Sequence, residues 1–323
     1  MKNAFRLLAA LALSLASLVA HAQPTYPEKP VRIIVGFPAG VAPDIAARVL
    51  AEKLAEAWGK PVVVENVTGA GGNIGAERVA KAAPDGYTLG MVGNGSLVFS
   101  TGMYDKLPFD PVKDFAPITQ VFVAANALVV PADSPIKSLP ELVALARAQP
   151  GKLTYAHAGA GTSQHLGAEL FKLMAQVDIR PVAYRGTTAL LPDLLAGRVS
   201  MSFANVANAL ALVREGKLRA FAVSSAKRSA SAPDLPTMAE SGYPGFEAVP
   251  WFGLMGPAAT PAALVERLNR DTIKVLNTPE VRKRLNSFGM DLVLGTPAEF
   301  AAAIERELPA WTKLIRQAGI KAE

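Results

Sequence analysis

The chain has 323 residues, 50% hydrophobic and 19% charged, with a formal net charge of +6. That composition belongs to a folded globular protein and excludes disordered, collagen-like and low-complexity classes. The absence of cysteine excludes a disulfide scaffold, a cysteine-zinc site, an iron–sulfur cluster and a thiol nucleophile, and three histidines nearly exclude a histidine metal site.

The first element in chain order is a targeting signal. Lys2 and Arg6 precede the apolar run Leu7 to Leu13, which continues to Ala20, and Ala20-His21-Ala22 has the small-x-small cleavage pattern. These features predict a secretory signal peptide over residues 1–22, cleaved after Ala22. The run is too short and too rich in Ala and Ser for a comfortable membrane span. Export of a cysteine-free chain predicts a bacterial periplasm, where cofactors such as NAD or ATP are not expected. The 33 basic residues less Lys2 and Arg6 leave 31 against 27 acids, net +4. No long basic run exists and aromatics do not interleave with the cations, so nucleic acid is not an expected partner. A weak positive excess suits an anionic small ligand.

The mature chain alternates β-branched runs with helical patterns, which predicts parallel sheets flanked by helices. Val31 to Val35 is the first strand, and a helix follows from Asp44 to Trp58 with Leu50, Leu54 and Trp58 on one face. Val62 to Val64 is a second strand, Ile74 to Ala82 a helix, and Thr88 to Val92 a third strand. One long extended stretch runs from Ile118 to Val130. A second set of units then begins, with Ser138 and Glu141 capping a helix from Leu139 to Ala148. Strands are predicted at Leu153 to Ala156, Pro181 to Tyr184, Val199 to Phe203 and Arg219 to Ser224, with helices at His165 to Met174 and Ala189 to Leu195. The C-terminal third reads as helices without a strand set of their own. Thr296 and Glu299 box the start of the last helix, which carries Phe300, Ile304, Leu308, Trp311 and Ile315 on one face. The expected organisation is a discontinuous first domain, 23–123 plus 229–323, around a second, 124–228. The two crossings, near Ala124 to Asn126 and Ser225 to Arg228, form a hinge, and the cleft lies at the carboxyl ends of both sheets.

Four loops follow strands, are rich in Gly or small polar residues, and precede helices: Phe37 to Asp44, Gly69 to Asn73, Gly93 to Ser96 and Gly159 to Ser163. A helix N-terminus offers unpaired N–H donors and partial positive charge, and glycine lets a ligand oxygen come close. Such loops facing one another would clamp a carboxylate. The candidate ligand contacts are Phe37, Ala39, Gly40 and Asp44 in the first loop, Asn94 and Gly95 in the third, and Gly159, Gly161, Thr162 and Ser163 in the fourth. His157 and Arg185, each at a strand end, join them. Asp44 reads equally as an N-cap and as a group that fixes the loop or binds a ligand donor. Trp251 and Phe252 read as core or interdomain packing.

Competing motifs fail on spacing. Gly69 to Gly75 reads G-x-G-x-x-x-G, not the dinucleotide fingerprint. Gly161-Thr162-Ser163-Gln164-His165 sits in a strand–turn–helix context like a nucleophile elbow, but no histidine follows His165 to complete a triad. No metal, catalytic or cofactor set is expected.

The segments Tyr26 to Phe37, Val64-Glu65-Asn66 with Gly69 to Gly75, Ala83 to Thr88, Leu107 to Pro117, Ala158 to Phe171, Ser225 to Arg228, Trp251 to Pro257 and Ala318 to Lys321 resemble the Bug-type extracytoplasmic solute receptors, the binding proteins of tripartite tricarboxylate transporters. The resemblance covers the whole mature chain. It implies a type II periplasmic binding protein, a Venus flytrap that takes a small organic acid between its domains, partners with membrane permease subunits, and acts as a monomer without catalysis. It implies that Phe37 to Asp44 and Gly159 to Ser163 hold one carboxylate through backbone donors and waters. Two departures stand out. Gly40-Val41-Ala42-Pro43-Asp44 replaces a more flexible Gly-Gly-Ser/Thr pattern, and Pro43 lacks a donor. Ala204, before Asn205, stands where relatives often carry an acid. With Phe99 and Phe203 expected near the same end of the cleft, the ligand expected is a carboxylate without an amino group. The alternatives are a periplasmic hydrolase or lyase using Asp44 and His157, or a sensory partner that presents its ligand to a membrane receptor.

Overall fold

A computed structural model describes residues 26–322, so the expected signal peptide lies outside the described residues. Two mixed sheets form the fold. The first has the order β11-β4-β10-β3-β1-β2 and the second β7-β6-β8-β5-β9. In chain order the first sheet receives β1 (Val31–Val35), β2 (Val62–Asn66), β3 (Thr88–Gly93) and β4 (Phe115–Val123). The second receives β5 (Asn126–Pro131), β6 (Thr154–His157), β7 (Arg180–Ala183), β8 (Met201–Asn205) and β9 (Leu218–Val223), and the chain returns to the first as β10 (Trp251–Pro257) and β11 (Asp291–Leu292). Strands β1, β2 and β3 are parallel, as are β6, β7 and β8. A return strand runs antiparallel inside each sheet, β10 between β3 and β4, and β5 between β8 and β9.

The single extended stretch expected over 118–130 is therefore two strands in different sheets. The turn at Ala124 and Ala125 separates them, and Ala124 N–H donates to Pro250 O beside the other crossing. The expectation of a strandless C-terminal third is also corrected, because β10 lies in the middle of the first sheet. Its run Trp251 to Pro257 holds no β-branched residue and two glycines, Gly253 and Gly256, which hides it from strand patterning. Gly253 lies where any Cβ would collide with the Phe300 ring, so close packing of the last helix requires glycine there.

Alternation along each strand splits the core. Val31, Ile33 and Val35 face helix α1 (Ala42–Trp58) and α8 (Ala262–Leu276), whereas Ile34 faces a second cluster. That second cluster is continuous with Leu128, Val130 and Tyr155 of the other sheet. The apolar interior thus runs from one sheet to the other. The last helix, α10 (Pro297–Gln317), is anchored in it by Phe300, edge-on to Trp251 at 5.3 Å, and by Trp311, edge-on to Phe99 at 5.1 Å. Burying one such ring contributes about 2 to 3 kcal/mol. Its N-terminus is the expected capping box of Thr296 and Glu299.

Between β1 and α1 the helix begins two residues earlier than periodicity suggests. Pro43 sits in its first turn, where a missing N–H costs nothing. Asp44 is thus inside the first turn, not its cap. After β3 the chain does not form a plain loop. A π-helical turn, Gly95–Phe99, runs into the short helix α3 (Ser100–Met103).

Candidate functional site

A cavity of about 530 Å³ lies between the two sheets, at the carboxyl ends of β1, β3 and β6. This is where open α/β sheets place ligands. On the first-sheet side its wall is Phe37, Asn94, Gly95, Phe99 and Met103, and on the other side it is the run Ala158 to Ser163. Pro250 and Phe252, at the return crossing, close the floor. Among the described residues no charged side chain lines it.

The second-sheet wall is built by a short strand that ends in a glycine turn and starts a helix. Gly159 has φ +133° and Gly161 φ +70°, conformations that side chains with a Cβ resist. Thr162 caps helix α5 (Ser163–Ala175), its Oγ1 accepting from His165 N–H at 3.4 Å and donating to Gly159 O at 2.8 Å. Ser163 Oγ accepts from Asn126 Nδ2 at 3.0 Å, which ties the helix start to β5 and the first crossing. Thr162 and Ser163, at the N-terminus of α5, line the cavity and bring the positive end of a 13-residue helix to its wall.

The first loop is held from beneath by Asp44. Its carboxylate, 1% exposed, accepts from Gly40 N–H at 2.8 Å, Arg48 Nε at 2.9 Å and Asn66 Nδ2 at 2.8 Å. Asn66 Nδ2 also donates to Phe37 O. Burial pushes the Asp44 carboxyl up, but the hydrogen bonds from Arg48, the Gly40 N–H and Asn66 outweigh it and hold the group below its ordinary value. The lowered value means stability that is present above the ordinary carboxylate range and lost as pH falls through it. Asp44→Ala is expected to destabilise the fold by about 2 kcal/mol, because it strands buried donors while half-exposed Arg48 turns to water. Urea unfolding at neutral pH measures this; an unchanged midpoint would show that Asp44 does not fix the loop.

Residues 46–320 match the tripartite tricarboxylate transporter family receptor. The chain belongs to this family. It is 36% identical to protein BugT of Bordetella pertussis over 99% of both chains. Among solved structures it is similar to an R. palustris protein with adipate, at 34% identity and TM-score 0.76 over 92% of this chain and 99% of that one. It is also similar to MatC of Rhodopseudomonas palustris with bound malate, at 32% identity and TM-score 0.72 over 90% of this chain and 100% of that one. Receptors of this family are periplasmic solute-binding proteins, and no helix among the described residues is long and apolar enough to cross a membrane.

The receptor brings half of the sequence-derived candidates together. Phe37, Asn94, Gly95, Gly159, Gly161, Thr162 and Ser163 all line the cavity. Asn94 does so while its side chain clamps the crossing, donating to Val249 O at 2.8 Å and accepting from Trp251 N–H at 3.3 Å. Ala39 and Gly40 are exposed on the outer part of the first loop, and Val41 is exposed beside them. Asp44 lies below that loop. His157 is buried under the glycine turn, its Nδ1 2.9 Å from Gly159 O, and its ring stacks on His165 at 4.1 Å. Arg185 is exposed on the turn after β7, the edge strand of the second sheet. Ala204 pairs with Ala127 across the ladder, and Asn205 caps the next helix by accepting from Ala207 N–H at 3.1 Å. Phe99 reaches the cavity, but Phe203 is buried and stacked on Phe246. Sequence reasoning missed Asn66, Asn126, Met103 and His165. A polar residue at a strand end, as Asn66 and Asn126 are, was the available signal.

A smaller cavity of about 210 Å³ adjoins the crossing on its other side, lined by Glu247, Trp251, Arg306, Glu307 and Trp311. Trp251 Nε1 donates to Glu307 Oε2 at 2.8 Å. Burial first, then the neighbouring charge of Glu247, pushes the Glu307 carboxyl up to about 7, against the lowering by Trp251 and Arg306.

Proposed function

We propose that this receptor captures a small organic carboxylate in the 530 Å³ cavity, leaves it chemically unchanged, and delivers it to the membrane permease of a tripartite tricarboxylate-type transporter. The observation that carries the reading is the α5 N-terminus and its glycine turn facing a cavity without charged side chains. With no arginine or lysine in the lining, backbone donors, the helix dipole and the hydroxyls of Tyr104 and Ser163 are what the site offers an anion. The adipate and malate held by the two solved relatives are consistent with that chemistry. Export by a signal peptide over residues 1–22, cleaved after Ala22, and action as a monomer belong to the same proposal.

The lining also argues for a carboxylate without an amino group. Phe37, Phe99, Met103 and Phe252 present apolar surface, and no acid is there to meet an ammonium. Burying an unpaired ammonium costs several kcal/mol. A thermal-shift screen of mono-, di- and tricarboxylates is expected to find a stabiliser, worth about 2.7 kcal/mol at 100 times Kd. Calorimetry of succinate against aspartate and glutarate against glutamate is expected to favour the plain acid in both pairs. Tighter binding of both amino acids would sink the specificity, and no response to any organic acid would sink the ligand class. Recovery of the acid unchanged separates a receptor from a hydrolase or lyase.

Within the same proposal the units move about the crossings at Ala124 to Asn126 and between Val223 and Trp251. The intervening segment, which the sequence assigned from residue 229 onward to the first domain, bonds to β9: Val223 N–H donates to Pro236 O and Met238 N–H to Val223 O. Those bonds support counting residues 236–248 with the second domain, while Ser229, Ala230 and Ser231 bond to Asp291 and Asn286 beside the first sheet.

A further inference from the structure

We infer that His165 is a positioning residue for the carboxylate site: its neutral imidazole accepts the Gly161 N–H and fixes the turn Gly159 to Ser163 so that the first-turn donors of α5 face the ligand. The inference rests on the carboxylate-receptor reading above.

Two of the turn's N–H groups are engaged by side chains beneath it. Ala158 N–H donates to Gln164 Oε1 at 2.9 Å and Gly161 N–H to His165 Nδ1 at 3.3 Å. His157 Nδ1, 2.9 Å from Gly159 O, donates to that carbonyl and holds the turn from the same side. Thr162 N–H and Oγ1 both return to Gly159 O. The acceptors therefore lie on one side of the turn and pull its N–H groups inward. What remains for a ligand on the cavity side is the Ala160 N–H and the first turn of α5, where the N–H groups of Ser163 and Gln164 have no intrahelical acceptor. The glycines thus shape the turn and let it pass close to Met103, while the helix start binds.

This arrangement needs a neutral imidazole at 165, protonated on Nε2, because an imidazolium has no acceptor for the Gly161 N–H. The surroundings enforce it. His157 stacks on the ring at 4.1 Å with planes 16° apart, and Tyr155 lies 6.1 Å away, its hydroxyl donating to Glu169 at 2.5 Å. Lys172 is ion-paired with Glu169 at 2.8 Å one turn along the helix. Burial first, then His157 and Lys172, push the His165 imidazole down to about 4, against the opposing pull of Glu169. A charge on the His165 ring in this buried stack would have neither water nor an acceptor-side partner, so His165 stays neutral across the range from pH 5 to 8.

The test combines two substitutions with a measurement that needs no ligand. His165→Phe keeps a ring and removes the acceptor; His165→Asn keeps an acceptor at a similar distance from the backbone. With adipate and malate as probes, His165→Phe is expected to lose affinity at least tenfold and His165→Asn less than about threefold, at unfolding temperatures close to wild type. Imidazole nitrogen NMR of the ligand-free wild type is expected to show His165 neutral with its proton on Nε2 from pH 8 to 5. Wild-type affinity in His165→Phe overturns the inference, as does a proton on Nδ1 or a charged ring at pH 6. If His165→Phe does not fold, the NMR signature and the Asn variant decide. Failure of wild type to bind any organic acid would overturn the carboxylate reading, while the tautomer still tests the turn.

Discussion

Gly161→Val is expected to lower organic-acid affinity at least tenfold, a loss of about 1.4 kcal/mol or more, with the second sheet still folded. Two effects act together. Gly161 holds φ +70°, a region that costs an ordinary residue about 1 to 2 kcal/mol and a β-branched one more. A Cβ there would also collide with Met103 Sδ, across the cavity on the first-sheet side. The thioether can move aside, but the backbone strain cannot be relieved without turning the Gly161 N–H away from His165. The turn would then lose the shape that aims α5 at the ligand. The same contact reports closure, because it joins residues whose flanking strands belong to different sheets. Small-angle scattering of wild type is expected to show a smaller radius of gyration with saturating ligand, and of Gly161→Val no change under the same conditions. Wild-type affinity and compaction in the variant would mean that the glycine is only a turn former. Gly161→Ala separates the terms, since it carries the φ penalty with less bulk.

What the sequence made legible followed from local chemistry. Val31 to Val35 and Val62 to Val64 read as strands because β-branched residues fit a buried parallel sheet. The turn Gly159 to Ser163 read as a ligand site because a strand, a glycine turn and a capping threonine are adjacent in the chain. Position in the molecule was less legible. Ala39 and Gly40 belong to the right loop but point outward, since the Asp44 hydrogen bonds draw Gly40 down toward the helix. Arg185 had the right chemistry, yet β7 ends at a sheet edge and leaves it in water. Asn66, Asn126 and Met103 matter through partners far away in sequence, such as Asn126 with Ser163 and Ser224. No local pattern announces them. Strand β10 was hidden for the same reason, because Gly253 answers to Phe300 of a helix some 47 positions later, a close approach visible only in three dimensions.

The pH dependence of stability between pH 4.5 and 6.5 is expected to be shallower in wild type than in two variants, which tilt in opposite directions. Glu307 has its carboxyl raised to about 7 by burial, so the folded state holds its proton above the ordinary carboxylate range. Ionising it in place costs free energy, and stability falls as pH rises from about 4.5 to 7. His165 is displaced the other way, down to about 4. The unfolded chain binds that proton first, so stability rises with pH from about 4 to 6.5. The two slopes oppose each other over the shared window, each at most about 1.4 kcal/mol per pH unit. Asp44 titrates below this window and does not disturb it. Glu307→Gln keeps an acceptor for the Trp251 indole and removes the ionisation cost. It is expected to gain about 2 to 3 kcal/mol at pH 8 and to lose stability steeply below pH 6.5. His165→Asn removes the opposing slope and is expected to lose stability as pH rises through 6. Urea unfolding of the three proteins from pH 4.5 to 8 measures all of this. Parallel curves would mean that neither group is displaced from its ordinary range. A change in Glu307→Gln alone would place His165 in water and remove the reason for its neutrality beneath the carboxylate turn.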